Sequence, residues 1–320
     1  MSPIEPSKTL RPGNIQGDIE KYSPDIKNIA NLDIQVPFNK DSSDIGPLEW
    51  KILVDLIQQN ADLYNGFVVI HGTDTIVYTA AALSFLLNIG RKPVILTGSQ
   101  RPLSSIRSDA RGNLINSIEL ATYEIPEVGV CFGNKLFRGN RTKKISIESY
   151  QSFESPNYPP LAQIGLKIQL SKSIFRNEPR NVNFKALFDN HLMVITVYPG
   201  LNPQFYKQVF RSNTKSVILE AYGAGNLPVT EPNWIPFIAE LKSSGKSVYI
   251  MSQSAHGKID LELYECGRQA QEAGSVSLGD MTLETAIVKL MILQANEKDQ
   301  KKIEDMMIRS YVGEITENEE

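Results

Sequence analysis

Short apolar runs separated by stretches of helical spacing recur along the chain, and this alternation limits the folds open to it more than any other feature. Phe67-Val68-Val69-Ile70, Pro93 to Leu96 and Val128 to Phe132 are apolar without a polar residue at every second position. A strand with one face in water alternates, whereas a strand covered on both faces has no need to. Between these runs lie Leu48 to Leu63, with Leu48, Ile52, Leu53, Leu56 and Ile57 at helical intervals, then Ile76 to Leu87, and a further helix over Asn113 to Thr122. Strand and helix in strict turn predict parallel β-α-β units with helices on both faces of the sheet, an α/β fold.

The alternation falters from about Ile145 to Asn190, where Ser155-Pro156-Asn157-Tyr158-Pro159-Pro160 and similar stretches interrupt it. It resumes with candidate strands Met193 to Tyr198, Ser216 to Leu219 and Ser247 to Ser252, a helix near Trp234 to Leu241, and helices from Leu261 and Thr282. A chain of 320 residues with 41% apolar content can fill two cores of ordinary size. The expectation is a larger N-terminal domain over 1–180, a doubly wound and mostly parallel sheet, a connection at about 150–190, and a smaller C-terminal α/β domain over 191–320. The opening 1–32 reads as irregular. Asp33 to Phe38 is the first candidate strand, although Pro37 suits it poorly to a central position. Glu314 to Glu320 reads as a solvated acidic tail.

Charge and composition exclude several functions. The 36 acidic and 33 basic side chains leave a formal charge of -3 without a long Lys/Arg block, so neither nucleic acid nor an anionic membrane is expected as a partner. No apolar run reaches the roughly 20 residues of a membrane span, and the Met1-Ser2-Pro3-Ile4-Glu5-Pro6 start lacks the regions of a secretion signal. A cytoplasmic location is expected. Cys131 and Cys266 lack metal or redox spacing and read as reduced structural residues. His71, His191 and His256 are far apart and do not form a metal motif.

Open parallel sheets bind ligands beyond the carboxyl ends of their strands. Two loops there carry glycines and hydroxyls: His71-Gly72-Thr73-Asp74-Thr75 and Thr97-Gly98-Ser99-Gln100-Arg101-Pro102. Thr73, Asp74 and Thr75 fit two readings, as caps for the following helix or as a substrate anchor beside a reacting hydroxyl. Lys143 and Lys144, after Arg138-Gly139-Asn140-Arg141-Thr142, read as solvated charges unless burial or the nearby arginines lower the pKa of one. His71 reads as a strand-end histidine packed in place, and Ser42-Ser43-Asp44 as the start of the next helix. Tyr198-Pro199-Gly200 and Tyr222-Gly223-Ala224-Gly225-Asn226 follow apolar strands in the second half.

Taken together, His71-Gly72-Thr73-Asp74-Thr75, Thr97-Gly98-Ser99-Gln100-Arg101-Pro102, Arg107-Ser108-Asp109, Arg138-Gly139-Asn140-Arg141-Thr142-Lys143-Lys144 and Tyr222-Gly223-Ala224-Gly225-Asn226 resemble the motifs of bacterial cytoplasmic (type I) L-asparaginases. The resemblance extends over nearly the whole chain. It implies hydrolysis of L-asparagine to L-aspartate and ammonia through a threonine ester, with no metal or organic cofactor, in a homodimer or homotetramer. Carried over position by position, Thr73 and Lys144 move protons, Asp74 holds the substrate's α-amino group, Ser42 and Ser43 hold its α-carboxylate, and Ser99 lines the amide pocket. Backbone amides beside Thr73 would stabilise the oxyanion.

The family's nucleophile is a different threonine, in a Thr-Gly-Gly-Thr-Ile element on a first strand, and this chain has no such element. The resemblance therefore implies that Met1 is an internal methionine, that the loop from Ser2 to Arg11 is the mobile one that follows the element, and that the chain as it stands is nearly inactive and poorly soluble. Two further departures are Leu10, where the family's loop offers a tyrosine, and Glu220, where regulated members carry an arginine for an effector asparagine. The alternatives are the asparaginase-like subunit of a tRNA-dependent amidotransferase and a noncatalytic binding protein that senses asparagine or aspartate.

Overall fold

The computed structural model describes residues 2–3, 10–11, 15–172, 174 and 182–317. The chain divides into two compact units, Met1–Ala186 and Leu187–Glu320. The loop expected over 2–11 falls mainly on 4–9, outside the described residues. Its ends are β1 (Ser2–Pro3) and β2 (Leu10–Arg11), which pair antiparallel.

After α1 (Ile15–Tyr22) and α2 (Pro47–Gln59), the first unit builds β3 (Phe67–Ile70), α3 (Ile76–Leu86), β4 (Val94–Thr97), α4 (Ala110–Leu120) and β5 (Val128–Phe132). The sheet continues through β6 (Lys135–Arg138), β9 (Ala162–Ile164) and β10 (Ile168–Leu170). A separate ribbon pairs β7 (Lys143–Lys144) with β8 (Phe153–Glu154). The sheet order is β10-β9-β6-β5-β4-β3. The β3, β4 and β5 ladders are parallel, and β6, β9 and β10 extend them antiparallel.

Both faces of this sheet are covered, as the unalternating strands require. Val68 packs with Leu114 and Ile118 of α4, while His71, three residues on and on the opposite face of the strand, reaches Thr79 of α3. Ile95, beside Val68 in the ladder, packs with Leu120, also from α4. Helices α3 and α4 therefore flank opposite faces.

The local signals sort the elements by physics. Helix α2 starts at Pro47, whose missing N–H is not needed in a first turn, and Glu49 accepts the Gly46 N–H from within that turn. Ser42–Asp44 forms a separate 3-10 turn ahead of it, so Ser42-Ser43-Asp44 is not the helix start that its composition suggests. Asp33 to Phe38 joins no ladder and is not a strand, and Leu32, Ile34 and Val36 stay exposed. Strand β3, last in the sheet order, is only half-buried, with Ile70 44% exposed, whereas β4 is buried throughout. Residues 153–170, within the stretch read as a connection, supply β8, β9 and β10 to the first unit.

The second unit is a four-stranded, wholly parallel sheet in the order β11 (Leu192–Thr196), β12 (Ser216–Ala221), β13 (Ser247–Ser252) and β14 (Ser275–Ser277). Its helices are α5 (Ile235–Ser243), α6 (Glu265–Glu272), α7 (Leu283–Asn296) and α8 (Gln300–Met307). The expectation of a solvated tail is corrected at its start: Glu314 and Ile315 are buried, while Thr316 and Glu317 are exposed. The Glu314 carboxylate is fully buried, pairs with Lys289 Nζ at 2.7 Å, and accepts the backbone N–H groups of Tyr311 and Val312. Three donors offset the cost of taking this carboxylate out of water. Residues 318–320 lie outside the described residues. None of the described helices is long and apolar enough to cross a membrane.

Candidate active site

Two adjacent parallel strands deliver the first components. The loop after β3 carries Thr73 and Asp74, and the loop after β4 carries Ser99. The two loops pack so closely that a side chain at Gly98 would begin 2.3 Å from the His71 carbonyl oxygen and 3.5 Å from Thr73 Cγ2. Only glycine allows that approach. Helix capping does not account for Thr73, Asp74 and Thr75: the first helical turn of α3 receives no side-chain cap, and Thr75 Oγ1 instead donates to the Ser42 carbonyl at 2.5 Å.

Lys144 arrives from a distant part of the chain. After β6 the backbone turns back over α3, where Gly139 lies so near Ala80 and the Val128 carbonyl that an added Cβ would sit 3.0 Å from both. The arginines of this segment are fixed elsewhere. Arg138 is paired with Glu127, and its guanidinium lies 4.2 Å from the centre of the Tyr158 ring; Arg141, also buried, sits over the same ring. With the segment anchored in this way, β7 extends Lys144 to the strand ends. Its Nζ donates to Thr73 Oγ1 at 2.9 Å and to Asp74 Oδ1 at 2.6 Å.

Lys144 is largely covered, 15% exposed, and Asp74 is open at 66%. The pair therefore has one shielded member and one that faces solvent, where a substrate ammonium could displace the lysine from the carboxylate. As an ammonium, Lys144 donates to the Thr73 hydroxyl; after losing a proton it accepts from it. The same two residues, with Ile145, Ser146, Ile147 and Glu148, line an open cleft of about 530 Å³.

The two serines differ. Ser42 is buried, and its hydroxyl lies where a Gly72 side chain would begin, 2.6 Å from that Cβ position, directly against the loop that bears Thr73. Ser43 is exposed, and its hydroxyl and N–H both donate to Asp41 Oδ1, which holds the carboxyl of Asp41 below the usual carboxylate range. Thr73, Asp74 and Lys144 are thus in direct contact, Ser42 and Ser99 adjoin them through Gly72 and Gly98, and the Ser43 hydroxyl is engaged with Asp41.

The Asparaginase, N-terminal family profile matches residues 1–176, and the Glutaminase/Asparaginase C-terminal domain profile matches residues 191–307. The chain belongs to the asparaginase family. It is 37% identical to L-asparaginase 1 of Escherichia coli over 278 residues, 86% of this chain and 82% of that protein. The crystal structure of L-asparaginase I from Vibrio cholerae superposes with a TM-score of 0.86 at 33% identity, covering 98% of this chain and 96% of that one. The chain is also 32% identical to a glutamyl-tRNA(Gln) amidotransferase subunit of Sulfolobus acidocaldarius, over 96% of its own length and 71% of that protein.

Several contacts brace this candidate site, and two of the residues that make them, Asn113 and Ser152, carry no sequence signal of their own. The Asp109 carboxylate accepts the N–H groups of Gln100 and Arg101 at 3.0 to 3.1 Å, and buried Asn113 donates to the Gly98 carbonyl at 2.9 Å. Together they clamp the loop that carries Ser99. Arg107-Ser108-Asp109 stands out in the sequence as a motif, but its role follows only from this contact. Gln100 Nε2 donates to Ser152 Oγ at 2.5 Å and so ties the Ser99 loop to the ribbon that holds Lys144. His71, packed at the strand end as its position suggests, is 6% exposed and bonded to Gly72 and Thr79.

Proposed function

We propose that this asparaginase-family chain carries the binding and proton-transfer half of an L-asparagine hydrolase, yielding L-aspartate and ammonia. The observation that carries the reading is Lys144 reaching both Thr73 and Asp74. Asp74 exchanges its lysine partner for the α-ammonium of the substrate, Ser42 and, at the outer edge, Ser43 take the α-carboxylate, and Ser99 borders the side-chain amide. A threonine hydroxyl attacks the amide carbon, and the Thr73–Lys144 pair takes its proton. The collapsing tetrahedral intermediate expels ammonia, which receives that proton, and water then cleaves the resulting ester by the same route. The Thr73 N–H supplies hydrogen-bond stabilisation for the developing oxyanion. Neither a metal nor an organic cofactor has a part in these steps.

The attacking threonine belongs, in this reading, to a further strand that lies outside the chain as it stands. Two features support a place for it. Strand β3 ends the sheet with half-buried apolar side chains, and Leu32, Ile34 and Val36 stay exposed on a segment that joins no ladder. An open apolar edge of this kind invites another strand. The chain alone should release ammonia from asparagine at least about 10³-fold more slowly than an upstream-extended form, the scale of losing a nucleophile. Equal rates in the two forms would falsify this part of the reading. The active form is proposed to be a cytoplasmic homodimer or homotetramer, which sedimentation of that form tests.

The likeness to the amidotransferase subunit from Sulfolobus favours one second reading, in which the same chemistry feeds ammonia to a partner protein. Ammonia release that appears only with a copurifying partner would select it over free hydrolysis.

A further inference from the structure

The peptide that joins Gly72 to Thr73 is gripped from behind by a chain of buried side chains. His71 Nδ1 lies 2.7 Å from the Gly72 carbonyl oxygen, and its Nε2 lies 2.9 Å from Thr79 Oγ1. Thr79 in turn accepts the indole N–H of Trp50 at 3.0 Å. A carbonyl oxygen only accepts, so Nδ1 carries the hydrogen. Burial moves the His71 pKa below its ordinary value, although the Gly72 bond opposes this, so the ring is neutral near pH 7 and its Nε2 is an acceptor. Trp50 then donates to Thr79, Thr79 to His71, and His71 to Gly72, with each donor matched to one acceptor. All three side chains are buried.

The direction of this chain determines where the next N–H points. The carbonyl and N–H of one trans peptide point in opposite directions, and the bond from Gly72 to Thr73 is trans. With the Gly72 carbonyl drawn back onto the imidazole, the Thr73 N–H is turned outward, and it meets no acceptor among the described residues. It belongs to the residue whose hydroxyl Lys144 contacts.

We propose that His71 is a positioning residue for amide cleavage: it locks the Gly72–Thr73 peptide so that the Thr73 N–H faces the negative charge that develops on the substrate carbonyl oxygen. A peptide free to flip would instead present the Gly72 carbonyl, a partial negative charge, to that oxygen. This role rests on the amidohydrolase reading given above. Losing one preorganised donor of this kind lowers kcat by about 10²-fold or more.

Two measurements test it. The chain has three histidines, so ¹⁵N-histidine labelling yields three ring systems whose long-range ¹H–¹⁵N correlations report the tautomer directly. His71 is expected as the Nδ1–H form, without titration across the range around pH 6.5 in which an ordinary histidine changes charge. Kinetics are then read in whichever form, the chain itself or its upstream extension, releases ammonia. His71→Asn keeps an amide N–H near the Nδ1 position, and His71→Gln moves it to the Nε2 position. The expected result is a kcat loss of about 10²-fold for His71→Gln with little change in KM, and recovery of most of it in His71→Asn. A titrating ring or the Nε2–H tautomer in an active enzyme overturns the role of His71 alone. Equal losses in both variants, or a loss confined to KM, do the same. Absence of ammonia release from the unsubstituted protein in both forms overturns the amidohydrolase reading and this role together.

Discussion

Lys144 donates to the hydroxyl of Thr73, a residue 71 positions earlier in the chain, at 2.9 Å, and the same ammonium touches Asp74 at 2.6 Å. A lysine so placed has two tasks, and substitution separates them from stability. Lys144→Met keeps the apolar stem and removes the charge. Asparagine hydrolysis by the active form is expected to fall by about 10²- to 10⁴-fold, the scale of losing a proton-transfer group. Because Asp74 is open to solvent, the fold is expected to change by less than about 1 kcal/mol. Ammonia release and urea denaturation of the same preparation check both parts.

The two serines before α2 predict different outcomes. The Ser42 hydroxyl is buried against Gly72, and the Ser43 hydroxyl is bonded to Asp41. Ser42→Ala is therefore expected to raise KM for asparagine about tenfold, the cost of roughly one hydrogen bond to a charged group, and Ser43→Ala by less. A larger KM rise in Ser43→Ala would reverse this ranking.

Two glycines offer opposite stability changes. A Cβ at Gly98 would collide with the His71 backbone oxygen at 2.3 Å, which no side-chain movement can relieve, whereas Gly112, inside α4, has nothing within 4 Å of its Cβ position. Gly98→Ala is expected to lower stability by about 1–3 kcal/mol and impair the site. Gly112→Ala is expected to raise stability by about 1 kcal/mol through helix propensity. Thermal melts of the two variants decide.

The buried pair of Lys289 and Glu314 joins α7 to the end of the chain, and Lys289 also donates to the carbonyl oxygens of Met307 and Arg309. Removing one partner leaves the other charge buried alone. Glu314→Gln is expected to cost about 3–5 kcal/mol in denaturant melts, and Lys289→Met a similar amount. If the pair is coupled as the distances indicate, the double variant costs less than the sum of the single ones.

Asp189 contributes an acid-sensitive increment. Burial pushes its carboxyl pKa up, but hydrogen bonds from Lys215 and His191 outweigh this and bring it down to about 2. A carboxylate whose folded pKa lies below its unfolded value near 3.9 contributes stability that is complete above that unfolded value and is lost as pH falls through the folded one. The stability gap between the protein and Asp189→Asn is expected to be constant near neutrality, to shrink below about pH 4, and to close only as pH falls below about 2. An unchanged gap from neutrality down to pH 2 would assign the effect to packing instead.

Local patterns in the sequence were sufficient for the parallel strands β3, β4, β5, β11, β12 and β13, because apolar runs without alternation report burial on both faces, and the intervening helical spacing demands crossovers. Val128–Phe132 and Ser247–Ser252 fall where the runs end, and the loops after β3 and β4 could be picked out as the ligand-facing ones from strand direction alone. Pairing is a different matter, since it depends on partners far along the chain. The antiparallel strand β6, the edge position of β3, and the absence of Asp33 to Phe38 from any ladder left no local trace. The side-chain chemistry divides in the same way. Residue type and spacing marked Thr73, Asp74 and Lys144 as candidates, yet only the return of the backbone over α3 at Gly139 decided that the lysine meets the other two. Glu314 makes the point from the opposite side. Composition assigned it to water, but a lysine delivered by a separate helix supplied the compensating charge that lets a carboxylate be buried.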